Sequence, residues 1–405
     1  MGTPADHLPP PVSDDSIRAL CASLKLPTPS AIAPLSVAAE YHAIYEVSFP
    51  PNPANPEPVV LILRVAGRHL PGLKTRNEVG VMNWVQAHTT IPVARVVHYD
   101  DTDNNPIGHE FTLCEKAAGV SVDRVYERLS DAHKRALVTQ LADYIIQLHD
   151  VGVWPVRFVG GLVPSKSGDQ HVQPGPALEE TFWQEPDIAQ FWPASSGSET
   201  VATLNPISPT GFDGYTAYIA ANVERYIHAI ERHPSLTAFR DLIPRLRLFA
   251  DVIRSEAYVE QLDDTVYVVA HRDLHFANIM CEFKPGTSPE AEENEIRITA
   301  VLDWEFAGVV PASRWDPPRA FLWNARRNET SKPEQDTLSA IFRDIISQKA
   351  PHVLDQMEPS ALQRAMQTVQ SYVRAIVEVC PRATCGDKVE GWRAVAEENM
   401  AIFGV

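Results

Sequence analysis

No stretch of the chain approaches the roughly 18 consecutive apolar residues of a membrane span, so no helical span is expected. Cysteine is scarce: Cys21, Cys114, Cys281, Cys380 and Cys385 are odd in number and lack the spacing of a zinc site or disulfide framework. That excludes a disulfide scaffold and makes a reduced, cytoplasmic compartment the expectation. Cys114 and Cys281 fall inside apolar strand-like runs and read as small core residues. Positive charge is also short. Lys and Arg number 35 against 52 Asp and Glu, a net charge of −17. This disfavours generic binding to nucleic acid or anionic membrane. It is compatible with a cationic small-molecule partner, and solubility is the first explanation of it. The N-terminal MGTPADHLPPP has neither the apolar run nor the basic flank of a signal peptide. What is present, 44% apolar and 21% charged residues, is the composition of an ordinary globular protein.

Hydrophobic periodicity divides the chain. Residues 14–26 suit a short capped helix, with acidic residues ahead of Ile17, Leu20 and Leu24. AIYEVSF (43–49) and VVLILRV (59–65) read as a hairpin, because the five prolines of PPNPANPEP cannot continue a ladder. TRNEVGVMNWVQAH (75–88) has helical spacing, and VARVVHYD and HEFTLCE read as strands around the turn DTDNNPIG. From Ser130 to His149 a helix is expected, with Leu137, Leu141, Ile145 and Leu148 on one face and Ser130 with Asp131 as cap. Residues 155–214, rich in Pro, Gly and Ser, are too long for an ordinary connection and read as a functional insertion or mobile flap. Helical patterns resume over 215–232 and 236–261, then three β-rich runs between 265 and 303, then mostly helix from about 334. The expected organisation is an α+β, two-lobed chain: an extension (1–34), a sheet lobe with one helix (35–115) and a mainly helical lobe (116–405). A cleft between lobes is the natural ligand site.

HRDLHFANIM (271–280) matches H-R-D-L-x-x-x-N, a kinase catalytic-loop pattern, in His271, Arg272, Asp273, Leu274 and Asn278. Phosphoryl transfer needs a carboxylate that orients the acceptor hydroxyl, and a neutral oxygen a few residues on that holds Mg²⁺. Asp273 and Asn278 fit those roles. ITAVLDWEF then ends a strand on Asp303, a second carboxylate placed one hairpin later for a Mg²⁺–nucleotide site. Taken singly, Asp273 and Asp303 read first as turn residues at strand ends, and His271 as a structural histidine. The constellation favours chemistry.

The N-terminal half supplies the complement. Such a site needs a strand cation for the phosphates and a helix carboxylate to position it. Arg64 ends VVLILRV and Glu78 lies on the next helix. Arg is not equivalent to the usual Lys, though its fork can pair with a carboxylate and with phosphate oxygens. Arg64 as an ordinary sheet-edge cation stays open. Lys74, at the helix entry, is a second candidate and reads as solvated. No G-x-G-x-x-G loop is present; PLSVAAEYHAIYEV (34–47) occupies its place.

With these residues in view, the chain resembles the aminoglycoside phosphotransferase and choline kinase-like superfamily, and more narrowly its fungal-type phosphotransferase-enzyme-family proteins. The carrying segments are VVLILRV…KTRNEVGVMNWV, IPVARVVHYD, FTLCEKAAGV, LADYIIQLH, HRDLHFANIM and VLDWEFAG. The resemblance implies a bilobal protein-kinase-like fold with ATP in the cleft. It also implies Asp273 as catalytic aspartate, Asn278 and Asp303 as Mg²⁺ ligands, Arg64 at the ATP-phosphate position and Glu78 as its partner. Glu115, Lys116, Ala117 and Ala118 become the hinge facing adenine, and 155–260 the acceptor-binding part. His271, Arg272 and His275 support the loop. Arg272 stands where the superfamily usually has Gly, whereas His275 is common there. DWE in place of D-F-G, and the lack of an A-P-E segment, argue against a protein kinase. The expected activity is ATP- and Mg²⁺-dependent phosphorylation of a small hydroxyl compound. The alternative is a catalytically silent nucleotide-binding or interaction module, and a protein kinase is a lesser one. Glu179, Glu180, Glu185 and Asp187 could face an ammonium group but read first as solvated loop charges. Trp183 and Trp192 read as cation-stacking or core-anchoring residues.

Overall fold

The computed structural model describes residues 7–36, 41–51, 56–151, 157–165, 168–193, 199–283, 296–322, 332–384 and 386–405. Cys385, the acidic turn 284–295 and the centre of the glycine-poor stretch, 37–40, lie outside them. Helix α1 (Asp14–Ser23) starts where the Ser13 side chain accepts the Ser16 N–H, and it buries Ile17, Leu20 and Cys21. Five antiparallel strands follow: β1 (Ala31–Pro34), β2 (His42–Phe49), β3 (Val59–Ala66), β4 (Val96–Asp100) and β5 (Phe111–Glu115). Their order is β1-β2-β3-β5-β4.

Strand alternation decides what this sheet presents on each face. Tyr45, Val47 and Phe49 of β2 and Leu61, Leu63 and Val65 of β3 share a core with α1. Arg64, one residue out of phase, falls on the opposite face, toward helix α2 (Lys74–His88). Helix α2 is buried on nearly every side, polar residues Lys74, Thr75, Asn77 and Glu78 included.

Beyond β5 the chain passes through β6 (Val120–Ser121) into helix α3 (Asp131–Asp150). Ser130 and His133 form its capping box, and Leu137, Leu141, Ile145 and Leu148 are buried as their spacing predicts. The 155–214 stretch, expected as an insertion or flap, is largely built into the body where it is described. Strands β7 (Gly161–Ser165) and β8 (Gly168–Gly175) pair as a hairpin packed on α2. Gly80 of α2 permits this contact, since a Cβ there would lie 2.1 Å from the Leu162 carbonyl oxygen. Trp183 precedes the short helix α4 (Glu185–Phe191) and Trp192 follows it; both join the main core, and the Arg382 guanidinium lies over the Trp183 ring at 3.9 Å.

Helix α5 (Tyr215–Arg232) and strand β9 (Tyr267–Ala270) lead to the 271–278 loop. Strands β10 (Ile279–Phe283), β11 (Ile296–Val301) and β12 (Gly308–Pro311) follow, then a helical remainder including α6 (Ala361–Val379). β9 pairs with β12, and β10 with both β11 and β6. These pairings lay 271–278 beside 302–307, where the Leu302 N–H donates to the Asn278 carbonyl at 2.8 Å. The architecture is α+β: a small antiparallel sheet lobe with its helix, over a larger, mainly helical lobe. No described helix is long and apolar enough to cross a membrane.

Candidate active site

The loop between β9 and β10 is fixed from below by His271. Its Nε2 donates to the Leu302 carbonyl at 2.8 Å, and its Nδ1 accepts the Asp273 N–H at 3.3 Å. Burial lowers its pKa, so the ring stays neutral in the tautomer both bonds require. Trp304 packs on the ring at 4.5 Å between centroids. Arg272 and Asp303 both adopt left-handed backbone, each with φ of 66°. Such angles are uncommon for residues with side chains and persist where neighbouring contacts impose them.

Asp273 and Asn278 meet directly. The Asn278 Nδ2 donates to the Asp273 carbonyl at 3.0 Å and to its Oδ2 at 3.1 Å. With the nitrogen so engaged, Oδ1 is the atom left for a cation. His275 Nδ1 accepts the Ala277 N–H at 3.2 Å, and Nε2 lies 3.4 Å from Asp273 Oδ2. Burial opposes a charge on His275, but the Asp273 hydrogen bond and the charges of Asp273 and Asp303 prevail and raise its pKa.

Across the cleft, Arg64 joins the two lobes. One guanidinium nitrogen donates to Glu78 and the other to Asp303 Oδ1, the latter at 2.8 Å. Glu78 is buried, which holds its carboxyl above the ordinary carboxylate value although the Arg64 charge and hydrogen bond oppose this. Asp303 is 31% exposed and Asp273 44%, so solvent reaches both carboxylates. The structure therefore brings together Arg64, Glu78, Asp273, Asn278 and Asp303, with His271 and His275 as supports.

Lys74 corrects the sequence reading. It is buried, not solvated, because its ammonium lies 3.1 Å from Glu305 Oε2 and 4.9 Å from the Tyr41 ring centroid. Burial raises the Glu305 carboxyl, opposed by Lys74, and His42 lies 3.6 Å away. The insertion carboxylates need the same correction. Glu179 is buried against Arg272 and Tyr218, and Asp187 against His7 at 3.3 Å. Tyr41 donates to Glu180 at 3.2 Å, so of the four only Glu185 has the exposed setting first expected.

At the expected hinge, Glu115 pairs with Arg95 and Lys116 with Glu46, each at 2.6 Å. Thr299 donates to the Ala118 carbonyl at 2.6 Å, and Ala117 is half-buried.

Asn77 is the residue that sequence reasoning missed. Its Nδ2 donates to the Glu305 and Ala307 carbonyls at 3.0 and 2.9 Å, and its Oδ1 accepts the Leu162 N–H at 3.0 Å. One side chain thus clamps α2 to the segment after Asp303 and to the β7–β8 hairpin. A polar residue inside an otherwise buried helix was the available signal.

No group of three or more His, Cys, Asp or Glu among the described residues could by itself hold a metal ion. The donor set still fits Mg²⁺, which takes oxygen ligands and commonly uses one or two protein groups together with substrate phosphates.

The phosphotransferase enzyme family matches residues 57–313, more than half of the chain, and the protein belongs to that family. It shares 23% identity over 285 residues with a subtelomeric hrmA-associated cluster protein of Aspergillus fumigatus strain Af293, covering 58% of this chain and 50% of that one. The counterpart from strain CEA10 matches to the same extent, so the chain spans about half the length of these curated relatives. Among solved structures, the gentamicin–APH(2″)-IIa complex has 14% identity and a TM-score of 0.47, over 98% of this chain and 97% of that one. Aminoglycoside phosphotransferase APH(4)-Ia has 13% identity and a TM-score of 0.43, over 97% and 100%.

Proposed function

We propose that the protein transfers the γ-phosphoryl group of ATP to a hydroxyl of a small molecule in a Mg²⁺-dependent reaction. The observation that carries this reading is the convergence of Asp273, Asn278, Asp303 and the Arg64–Glu78 pair on one cleft. In this reading Asp273 orients the acceptor hydroxyl and takes its proton as the new P–O bond forms and the bond to the β-phosphate oxygen breaks. His275, beside Asp273 Oδ2, and Asn278 hold that carboxylate in place. Asn278 Oδ1 and Asp303 would hold the cation, which when bound neutralises charge on the phosphate oxygens. Arg64, held by Glu78, would pair with the nucleotide phosphates. The guanidinium arm that now donates to Asp303 is the one that would turn to phosphate were Asp303 given over to the cation.

Backbone groups of Glu115 to Ala118 would meet the adenine edge, because the Glu115 and Lys116 side chains are engaged by Arg95 and Glu46. Burial and pairing of Glu179 and Asp187 remove them as recognition groups for an ammonium, so a cationic acceptor is left with the overall acidic charge and the exposed Glu185. The test is ADP release from Mg-ATP with a panel of amino alcohols, sugars, aminoglycosides and hydroxyaryl amines. Acceptor-dependent release with a phosphorylated product supports the reading. Binding of Mg-ATP without turnover on any acceptor would favour a silent nucleotide-binding module.

A further inference from the structure

Arg272 is the residue of the catalytic loop whose side chain leaves the cleft. Its backbone has φ of 66°, a conformation glycine adopts freely and side chains rarely do. What holds an arginine there is the far end of the side chain. Nη1 donates to the Leu178 carbonyl at 2.7 Å and the Phe306 carbonyl at 3.3 Å, and Nη2 donates to the Glu179 carboxylate. The two carbonyls belong to different segments: Leu178 to the stretch after β8, Phe306 to the stretch after Asp303.

Glu179 is itself fixed. The Tyr218 hydroxyl donates to it, and Arg314 donates to Tyr218 at 3.2 Å and to Gln370 at 3.3 Å. Gln370 donates to the Tyr226 hydroxyl at 2.9 Å. The anchor therefore runs from the loop into α5 and α6, the core of the helical lobe. Leu178 packs with Tyr41, Leu70, Phe182 and Phe306, so the same contact reaches the sheet lobe. The void beside Arg272, Glu179, Tyr218 and Arg314 measures about 10 Å³, the room of one water molecule. The guanidinium fills its seat and leaves no space there for an acceptor.

We infer that Arg272 is a positioning residue, which couples the pose of Asp273 to the 155–214 segment through Glu179 and the Leu178 carbonyl. The coupling rests on the phosphotransferase reading for its catalytic consequence, though not for its structural part. Placement of the Leu178–Glu179 stretch and alignment of Asp273 become one event, since the residue before Asp273 is the one this stretch grips.

Arg272→Gly is the clean perturbation: it relieves the left-handed backbone and removes the grip, while Arg314 still acts on the buried Glu179 carboxylate. Hydrogen exchange of the 271–278 amides is compared in wild type, R272G, R272K and E179Q, beside kcat and KM for Mg-ATP. Loss of a charge-assisted hydrogen bond corresponds to about ten- to a hundredfold faster exchange over 271–278 in R272G, with a similar fall in kcat. KM for Mg-ATP rises less than kcat falls, since Arg64, Glu78 and the 115–118 backbone lie outside the loop and only Asn278 of the nucleotide side lies within it. R272K keeps the charge opposite Glu179 but not the fork, and gives an intermediate result. E179Q reproduces the faster exchange. Wild-type exchange over 271–278 in R272G overturns the proposal, whatever its turnover. If the wild type binds no Mg-ATP, the phosphotransferase reading fails while the exchange comparison still decides the anchor.

Discussion

Replacing Arg64 by alanine removes a side chain that bonds both lobes, and its cost follows from what remains. Glu78 is 1% exposed and has Arg64 as its hydrogen-bonded cation. Asp303 is 31% exposed and regains water when Arg64 is gone. The penalty therefore falls mainly on Glu78, a buried carboxylate left unpaired, worth about 3–5 kcal/mol. The double variant R64M/E78M removes both charges and fills similar volume, and a buried pair replaced in this way loses little stability. The expected pattern in urea unfolding at neutral pH is a large loss for R64A and near recovery for R64M/E78M. Phosphotransfer from Mg-ATP stays abolished in both, because neither retains a strand cation for the phosphates. The reasoning is refuted if R64A unfolds within about 1 kcal/mol of wild type, the range of an exposed ion pair. It is equally refuted if the double variant is as unstable as the single one.

Three further outcomes follow from the same geometry. Burial raises the Glu179 carboxyl, but Arg272, Arg314 and the Tyr218 hydrogen bond outweigh it and hold the pKa at about 2, below the ordinary 4.5. The group's stabilisation is complete above about pH 4.5, is lost as pH falls toward 2, and amounts to about 3 kcal/mol; acid unfolding of E179Q should lack this component. Asn77→Ala leaves the Leu162 N–H and the Glu305 and Ala307 carbonyls without their partner. It should cost about 3 kcal/mol in urea unfolding, and a loss under about 1 kcal/mol would contradict the clamp. Gly80→Ala places a methyl 2.1 Å from the Leu162 carbonyl oxygen. Forcing helix and hairpin apart should cost about 2 kcal/mol, against the small gain alanine brings to an unobstructed helix.

Periodicity made most of this fold legible. The β2–β3 hairpin, α2 and the buried face of α3 carry their spacing openly, and each stands within a residue or two of its expected bounds. The site was legible where chemistry fixes local spacing: Asp273 with Asn278 inside one loop, and Asp303 at the end of β11's run. What stayed hidden was the pairing of buried charges. Lys74 with Glu305, Arg272 with Glu179 and Asp187 with His7 each join residues far apart in the chain. A charged side chain carries no mark of burial until its partner is known, so solvation was the natural reading of Lys74, Glu179 and Asp187. The packing of the described residues in 155–214 stayed hidden for a related reason. Their Pro and Gly content obscured strand and helix periods, while β7, β8, Trp183 and Trp192 find their order against α2 and the main core.

The account turns on Asp273, and one comparison tests it most directly: Mg-ATP affinity by titration calorimetry and phosphoryl transfer, measured for wild type and Asp273→Asn. Asparagine keeps the size and the contact with Asn278 but cannot take the acceptor's proton. The account predicts near-wild-type binding of Mg-ATP and abolished transfer in D273N. Full transfer by the variant would remove Asp273 from the mechanism and contradict the assignment of the site.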